Sequence, residues 1–349
     1  MAYTTIKKPS DYFNTILYTG DNSSPRTITG VGFQPDMNWS KIRSEVNDHW
    51  VSDAVRGANK IIRPNGTDDE LVNGSGGYIS SFNSDGYVIA SGSASNNNFN
   101  KSSGTMVSWN WKANGAGSSN TDGSITSTVS ANTTSGFSIV SYTGTGSVAT
   151  IGHGLGTTPS MMILKSRDNG TLNWLVYHKS IGNTGALYLD LTNGTQTISA
   201  FWNNTSPTSS VFTIGTGGTP NNSGDNYIAY CFADVKGFSK FGSYVGNGET
   251  PNGTFVYTGF KPAFVMGKAT SGTENWFMND NKRLGYNDKN YRLYPNLSNS
   301  EATDSNMEIL SNGFKLNTAN GNSNGVGKTY IYMAFAEEPL VGDNPATAR

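Results

Sequence analysis

The side chains that could do chemistry are few and scattered in this chain of 349 residues. There are three histidines, His49, His153 and His178, and one cysteine, Cys231. A zinc site needs three or four converging ligands, commonly at short fixed spacings. No His-x-x-x-His pair occurs and Cys231 stands alone, so no metal is expected. His153 sits in Gly152-His153-Gly154-Leu155-Gly156, which has the composition of a turn. All three histidines read as ordinary hydrogen-bonding groups. Cys231 lies in the strand-like run Tyr227-Ile228-Ala229-Tyr230-Cys231-Phe232. It reads as a buried thiol, and a single cysteine excludes an intrachain disulfide. The densest acidic cluster is Asp68-Asp69-Glu70, just after a Pro-Asn-Gly turn. Acid–base catalysis by a carboxylate pair needs contrasting environments, whereas acids in a polar loop are expected to be solvated. The counterpart around Glu301 lacks the cluster.

Two sequence motifs fail on context. Gly321-Asn322-Ser323-Asn324-Gly325 fits the Gly-x-Ser-x-Gly pattern, which requires a strand before it and a helix after it. Here a polar loop leads into a strand. Gly327-Lys328-Thr329 ends like a phosphate-binding loop, but Asn322 stands where the pattern needs Gly. A polar group follows each of three Trp-bearing strands: residues 52–56, 178–180 and 280–283. These read as turns pinned by side chains, with a repeated ligand-contact loop as the sharper alternative. Exposed aromatics could stack on sugars through their apolar faces. Trp202, Tyr286 and Tyr291 are the candidates, with Asn203, Asn287 and Asp288 beside them. The candidate contact residues are therefore Trp202, Tyr286, Tyr291, His178 and Asp280. No catalytic residue and no cofactor is expected, and the protein is not expected to be an enzyme.

Composition frames the elements that must carry these groups. Gly accounts for 42 residues, charged residues for 14% and aromatics for 11%, with a net charge of −1. Low charge with many aromatics argues against disorder and fits many short strands joined by turns. No basic stripe supports nucleic-acid binding. No segment approaches the ~18 apolar residues of a membrane span, and the first residues lack an apolar signal core.

The chain repeats itself. An aromatic-Thr/Val-Gly turn occurs at Tyr18-Thr19-Gly20, Tyr142-Thr143-Gly144 and Tyr244-Val245-Gly246. Lys41, Lys165 and Lys268 follow in register, then Trp50, Trp174 and Trp276, then the closing aromatics Trp111, Phe232 and Phe335. Self-similarity of this kind marks repeated structural units. The expected fold is all-β: three tandem antiparallel β-sandwich-like units of about 100 residues. The boundaries are an N-terminal arm at 1–12, units at 13–112, 137–236 and 237–340, a Gly/Ser/Thr-rich linker at 113–136 and a tail at 341–349. The linker reads as flexible coil, with Ile125 and Val129 hinting at an extended part laid against a neighbour. Both termini read as extended. Short helices are expected only at residues 53–59 and 299–304. In the last strand Tyr330, Tyr332 and Ala334 alternate with Ile331, Met333 and Phe335. Both faces are therefore expected to be covered.

Taken together, Gly259-Phe260-Lys261-Pro262-Ala263-Phe264-Val265-Met266, Asn275-Trp276, residues 311–315 and residues 329–337 resemble a repeat family common in bacteriophages of marine and fresh waters. Residues 53–58 and 84–87 resemble the same family's opening half. The likeness spans about residues 10–340. That family is found in virion and tail-fibre-like proteins and supplies no catalytic residues. The resemblance implies a protein of the phage particle surface, a tail fibre or tip component that attaches to the host. A capsid decoration or head-fibre protein is the alternative, and a glycan-binding or glycan-degrading tailspike the second. The implied partners are other virion proteins and a host-surface glycan or protein, with no nucleic acid and no membrane insertion. Aromatic-rich strands in excess of what three small cores need suggest a homotrimer.

Overall fold

The computed structural model describes residues 4–93, 98–283, 291–304, 306–340 and 345–346. It is almost entirely β, in antiparallel sheets. Each unit has a large sheet with the same central order. An opening strand pairs with the closing strand, the closing strand with the Lys strand, and the Lys strand with the strand after it. In the first unit these are Phe13–Thr19, Thr105–Trp111, Met37–Ile42 and His49–Asp53. In the second they are Phe137–Thr143, Asn226–Phe232, Met161–Ser166 and Leu175–His178. In the third they are Ser239–Val245, Thr329–Pro339, Phe260–Ala269 and Phe277–Asp280. A small sheet of two or three strands faces each large one.

The turn that announces each unit has one hydrogen-bonding plan. The hydroxyls of Tyr18, Tyr142 and Tyr244 donate to the carbonyls of Phe99, Pro220 and Ser323 at 2.7, 2.8 and 2.6 Å. The next residue in each case is a fully buried Asn. Asn100, Asn221 and Asn324 accept from the backbone N–H of Asp21, Thr145 and Asn247. Glycine is required in the turn because the facing carbonyl is close. A Cβ on Gly20, Gly144 or Gly246 would lie 1.9, 2.3 or 2.4 Å from the oxygen of Lys101, Asn222 or Gly325.

Alternation along the strands explains the doubly apolar pattern. Tyr227, Ala229 and Cys231 face the small sheet of the second unit. Ile228, Tyr230 and Phe232 face a second core that draws on all three units. The strand Thr329–Pro339 is buried on both faces in the same way. At the centre the closing aromatics meet one another. Trp111 is 5.7 Å from Phe335 and 6.4 Å from Phe232, and Phe232 is 5.9 Å from Phe335, between ring centroids. Three large sheets therefore pack around one aromatic cluster, and the aromatic surplus is used inside a single chain. Burial of such rings, plus edge-to-face contacts worth about 0.5–1.5 kcal/mol each, dominates the packing.

Several expectations change. The 113–136 segment is not coil: Ser118–Asn120 and Ser127–Asn132 join the large sheet of the second unit. Ile125 bridges Ile151 and Val129 is buried, as the hint from those two residues suggested. Residues 53–59 form the end of one strand, a turn and the start of Gly57–Ile62, because the Asp53 carboxylate bonds the Arg56 backbone N–H and holds the turn. Residues 299–304 are not helical; Ala302 pairs with Arg292 as a β-bridge. The four-residue helices lie at Ser199–Trp202, Gly218–Asn221 and Gly321–Asn324. The N-terminal arm is held down: Ile6 is in the central core and Pro9–Asp11 forms a 3-10 turn. Of the C-terminal tail only residues 345–346 are described.

Candidate functional site

Register, read from the strand pairing, places the candidate residues. Met37, Met161 and Phe264 pair with Asp53, His178 and Asp280. These three follow-on residues hold one position in three units, and all are fully buried. Asp53 accepts from the hydroxyl of Tyr230 in the second unit at 2.7 Å. Asp280 accepts from the indole N–H of Trp109 in the first unit at 2.9 Å. His178 donates from Nε2 to the carbonyl of Tyr332 in the third unit at 3.2 Å. The contacts run in a ring, from first to second, second to third and third to first. His178 and Asp280 are thus joints between units, not ligand contacts.

Two of the three joints carry a buried ion network. Arg56 binds Asp53 and Glu70, and Glu70 holds Arg167 of the second unit through two bonds of 2.8 Å. Arg283 binds Asp280 and Glu301, and Glu301 holds Arg43 of the first unit at 3.0 Å. Burial alone would raise the Glu70 carboxyl, but the hydrogen bond from Arg167 and the charge of Arg56 outweigh it and hold the group below its ordinary value. Glu70 is therefore not the solvated acid that its loop suggested, and Glu301 is its counterpart in role. At the remaining joint Thr195 and Thr270 meet through their backbones alone, at 2.8 Å.

A further ring runs through His49, Trp174 and Trp276. His49 donates to Tyr294, Trp174 to Arg63 and Trp276 to Tyr188, each to a carbonyl of another unit at 2.8–3.1 Å. Their own backbone N–H groups bond Asn65, Asp190 and Asn296 at 2.8, 3.0 and 3.1 Å. The equivalent of Trp174 and Trp276 is therefore His49, not Trp50. The shift arises because one more residue separates the paired strands in the second unit.

The other chemical candidates are occupied. In all three histidines Nδ1 accepts an N–H, from Trp39, Leu155 or Ser180, and Nε2 donates to a carbonyl. Both ring nitrogens are engaged in the neutral form, and burial pushes their pKa values down, to about 4 for His178. Burial pushes the Cys231 thiol up to about 12, far from a thiolate nucleophile. Ser323 is buried at the end of a single helical turn, its hydroxyl without a partner. Lys41, Lys165 and Lys268 are fully buried, and each donates to the carbonyl of the next residue. Burial lowers each to about 8. Trp202 is buried against Tyr177 and donates to Gly185, so it offers no face to a sugar. Tyr291 is half-buried, and its carbonyl accepts from Asn279. Tyr286, Asn287 and Asp288 lie outside the described residues. No cluster of three or more metal-ligating side chains occurs among the described residues.

One polar concavity was missed from the sequence. It measures about 380 Å³ and opens on the first unit, between Asp48, Trp50, Arg63, Asn98 and the turn at Gly74, Ser75 and Gly76. Arg63 lies over the Trp50 ring at 5.9 Å and pairs with Asp48 and Asp68, both at 2.9 Å. In corrected register these positions hold Asn173, Leu175 and Tyr188 in the second unit, and Asn275, Phe277 and Tyr294 in the third. Its sequence signal is the departure at those three positions, invisible while Trp50 was aligned with Trp174.

No helix among the described residues is long and apolar enough to cross a membrane. No functionally curated protein matches the chain. A family match covers residues 8–339, nearly the whole ring of units, and the chain belongs to that family, described as a domain of unknown function, DUF7483.

Proposed function

We propose that the protein is a non-enzymatic structural component of a bacteriophage particle, a tail-fibre or tip element that contacts the host surface. One observation carries the non-enzymatic part. Four side chains with catalytic potential, Glu70, Glu301, His49 and His178, are each bonded to a different unit, and His153, Cys231 and the three lysines are buried within their own units. The phage setting rests on the resemblance of residues 10–340 to virion and tail-fibre-like repeats. A disulfide-free β body braced by buried networks suits an exposed particle part. The aromatic surplus that suggested a homotrimer is accounted for within one chain, so the reading takes the single chain as the three-sided body.

The test is immunogold labelling of purified particles with antibody to this chain. Label confined to the tail supports the reading. Label spread over the head replaces it with capsid decoration, and particles without label remove both.

A further inference from the structure

We propose that the concavity of the first unit binds a neutral sugar residue. It lies where this unit departs from the plan it shares with the other two. At the three equivalent positions the other units carry Asn, an apolar side chain and Tyr. The apolar side chains, Leu175 and Phe277, are fully buried in packing. Only the first unit places a carboxylate, an indole and a guanidinium there, and the concavity is lined by all three.

The wall chemistry selects the ligand. The two terminal nitrogens of Arg63 pair with Asp48 and Asp68, and each carries a second N–H for a ligand oxygen. Asp48 accepts from Arg63 and Asn65, one bond at each carboxylate oxygen. Each oxygen retains a second lone pair for a ligand hydroxyl. Arg63 is already neutralised by Asp48 and Asp68, so an anion would face two carboxylates. A ligand that both donates and accepts through hydroxyls, without charge, satisfies donors and acceptors together. A volume of about 380 Å³ is within the range of small-ligand sites and admits a pyranose ring. The turn at Ser75, which is exposed, rims the opening.

The site deepens the attachment reading yet fails separately from it, because particle labelling does not depend on sugar binding. The experiment is saturation-transfer NMR on the full chain with glucose, galactose, mannose and N-acetylglucosamine, and with glucuronate as the charged control. Transfer to at least one neutral sugar is expected. Asp48→Asn should weaken it about tenfold, the loss of one charge-assisted hydrogen bond. Ser75→Tyr, an exposed change that fills the concavity without disturbing the core, should abolish it. Absence of transfer to every neutral sugar, undiminished transfer in the Ser75→Tyr protein, or preference for glucuronate would each overturn the proposal.

Discussion

Gly144 shows how one side chain can be forbidden by geometry alone. The carbonyl of Asn222 stands 2.3 Å from where a Cβ would be, and the contact is backbone, which cannot swing aside. Gly144→Ala should cost at least about 3 kcal/mol, the upper part of the overpacking range, read as a lower urea midpoint at unchanged slope. A loss under about 1 kcal/mol would mean that the turn relaxes. Cys231 allows a second test at this scale. Its thiol is fully buried and raised to about 12, so it should label with a thiol reagent only as fast as the protein unfolds. Rapid labelling of native protein would contradict the packing. The glycine turns were legible in the sequence because the need for them is local. The fate of His178 and Asp280 was not, since what buries them is a different unit and no pattern within their own strand records it.

The joints between units are the elements on which the fold depends most. Asp280 accepts from Arg283 and Trp109 together, with both side chains of the ion pair fully buried. Asp280→Ala leaves the buried Arg283 with Glu301 as its remaining counter-charge and the Trp109 indole without its acceptor, and should destabilise by about 3 kcal/mol, the low end for a broken buried pair. His178→Ala, at the joint where the described residues form no ion network, should cost less, because it strands only neutral hydrogen-bond partners. Thermal unfolding of the two variants side by side decides the order; equal losses would refute it. Strand identity and the sandwich pairing could be read in advance from alternation in runs such as residues 330–335. The strands at Ser118–Asn120 and Ser127–Asn132 were masked by a Gly/Ser/Thr composition that usually means coil. They are recruited by the sheet edge beside them, through pairing with Phe137–Thr143, and not by their own propensity.

For the molecule as a whole, the shared aromatic centre predicts one cooperative unfolding transition instead of three. Tryptophan fluorescence and far-UV circular dichroism should coincide, and separate steps would show that the units stand alone. Titration sets an alkaline optimum. Lys41, Lys165 and Lys268 titrate near 8 when folded and near ~10.5 when unfolded. Between those values the unfolded chain binds more protons, so stability rises with pH. Tyrosines such as Tyr227 and Tyr330, raised to about 12 by burial, reverse the slope above ~10, where the unfolded chain ionises first. On the acid side His178, lowered to about 4, loses stability as pH falls below ~6.5, because only the unfolded chain takes the proton. Urea midpoints should therefore be higher at pH 9.5 than at pH 7.5, and the reverse order would sink the assignment. The ring closed by Phe13 stacking on Phe335 at 5.1 Å also bears on synthesis. A ribosome delivers the first unit with Trp39, Trp109 and Trp111 bare on its inner face. Their last cover, the strand Thr329–Pro339, emerges only after the other two units have been made. A premature stop anywhere before residue 329 should leave an insoluble product, however much of the chain has been made.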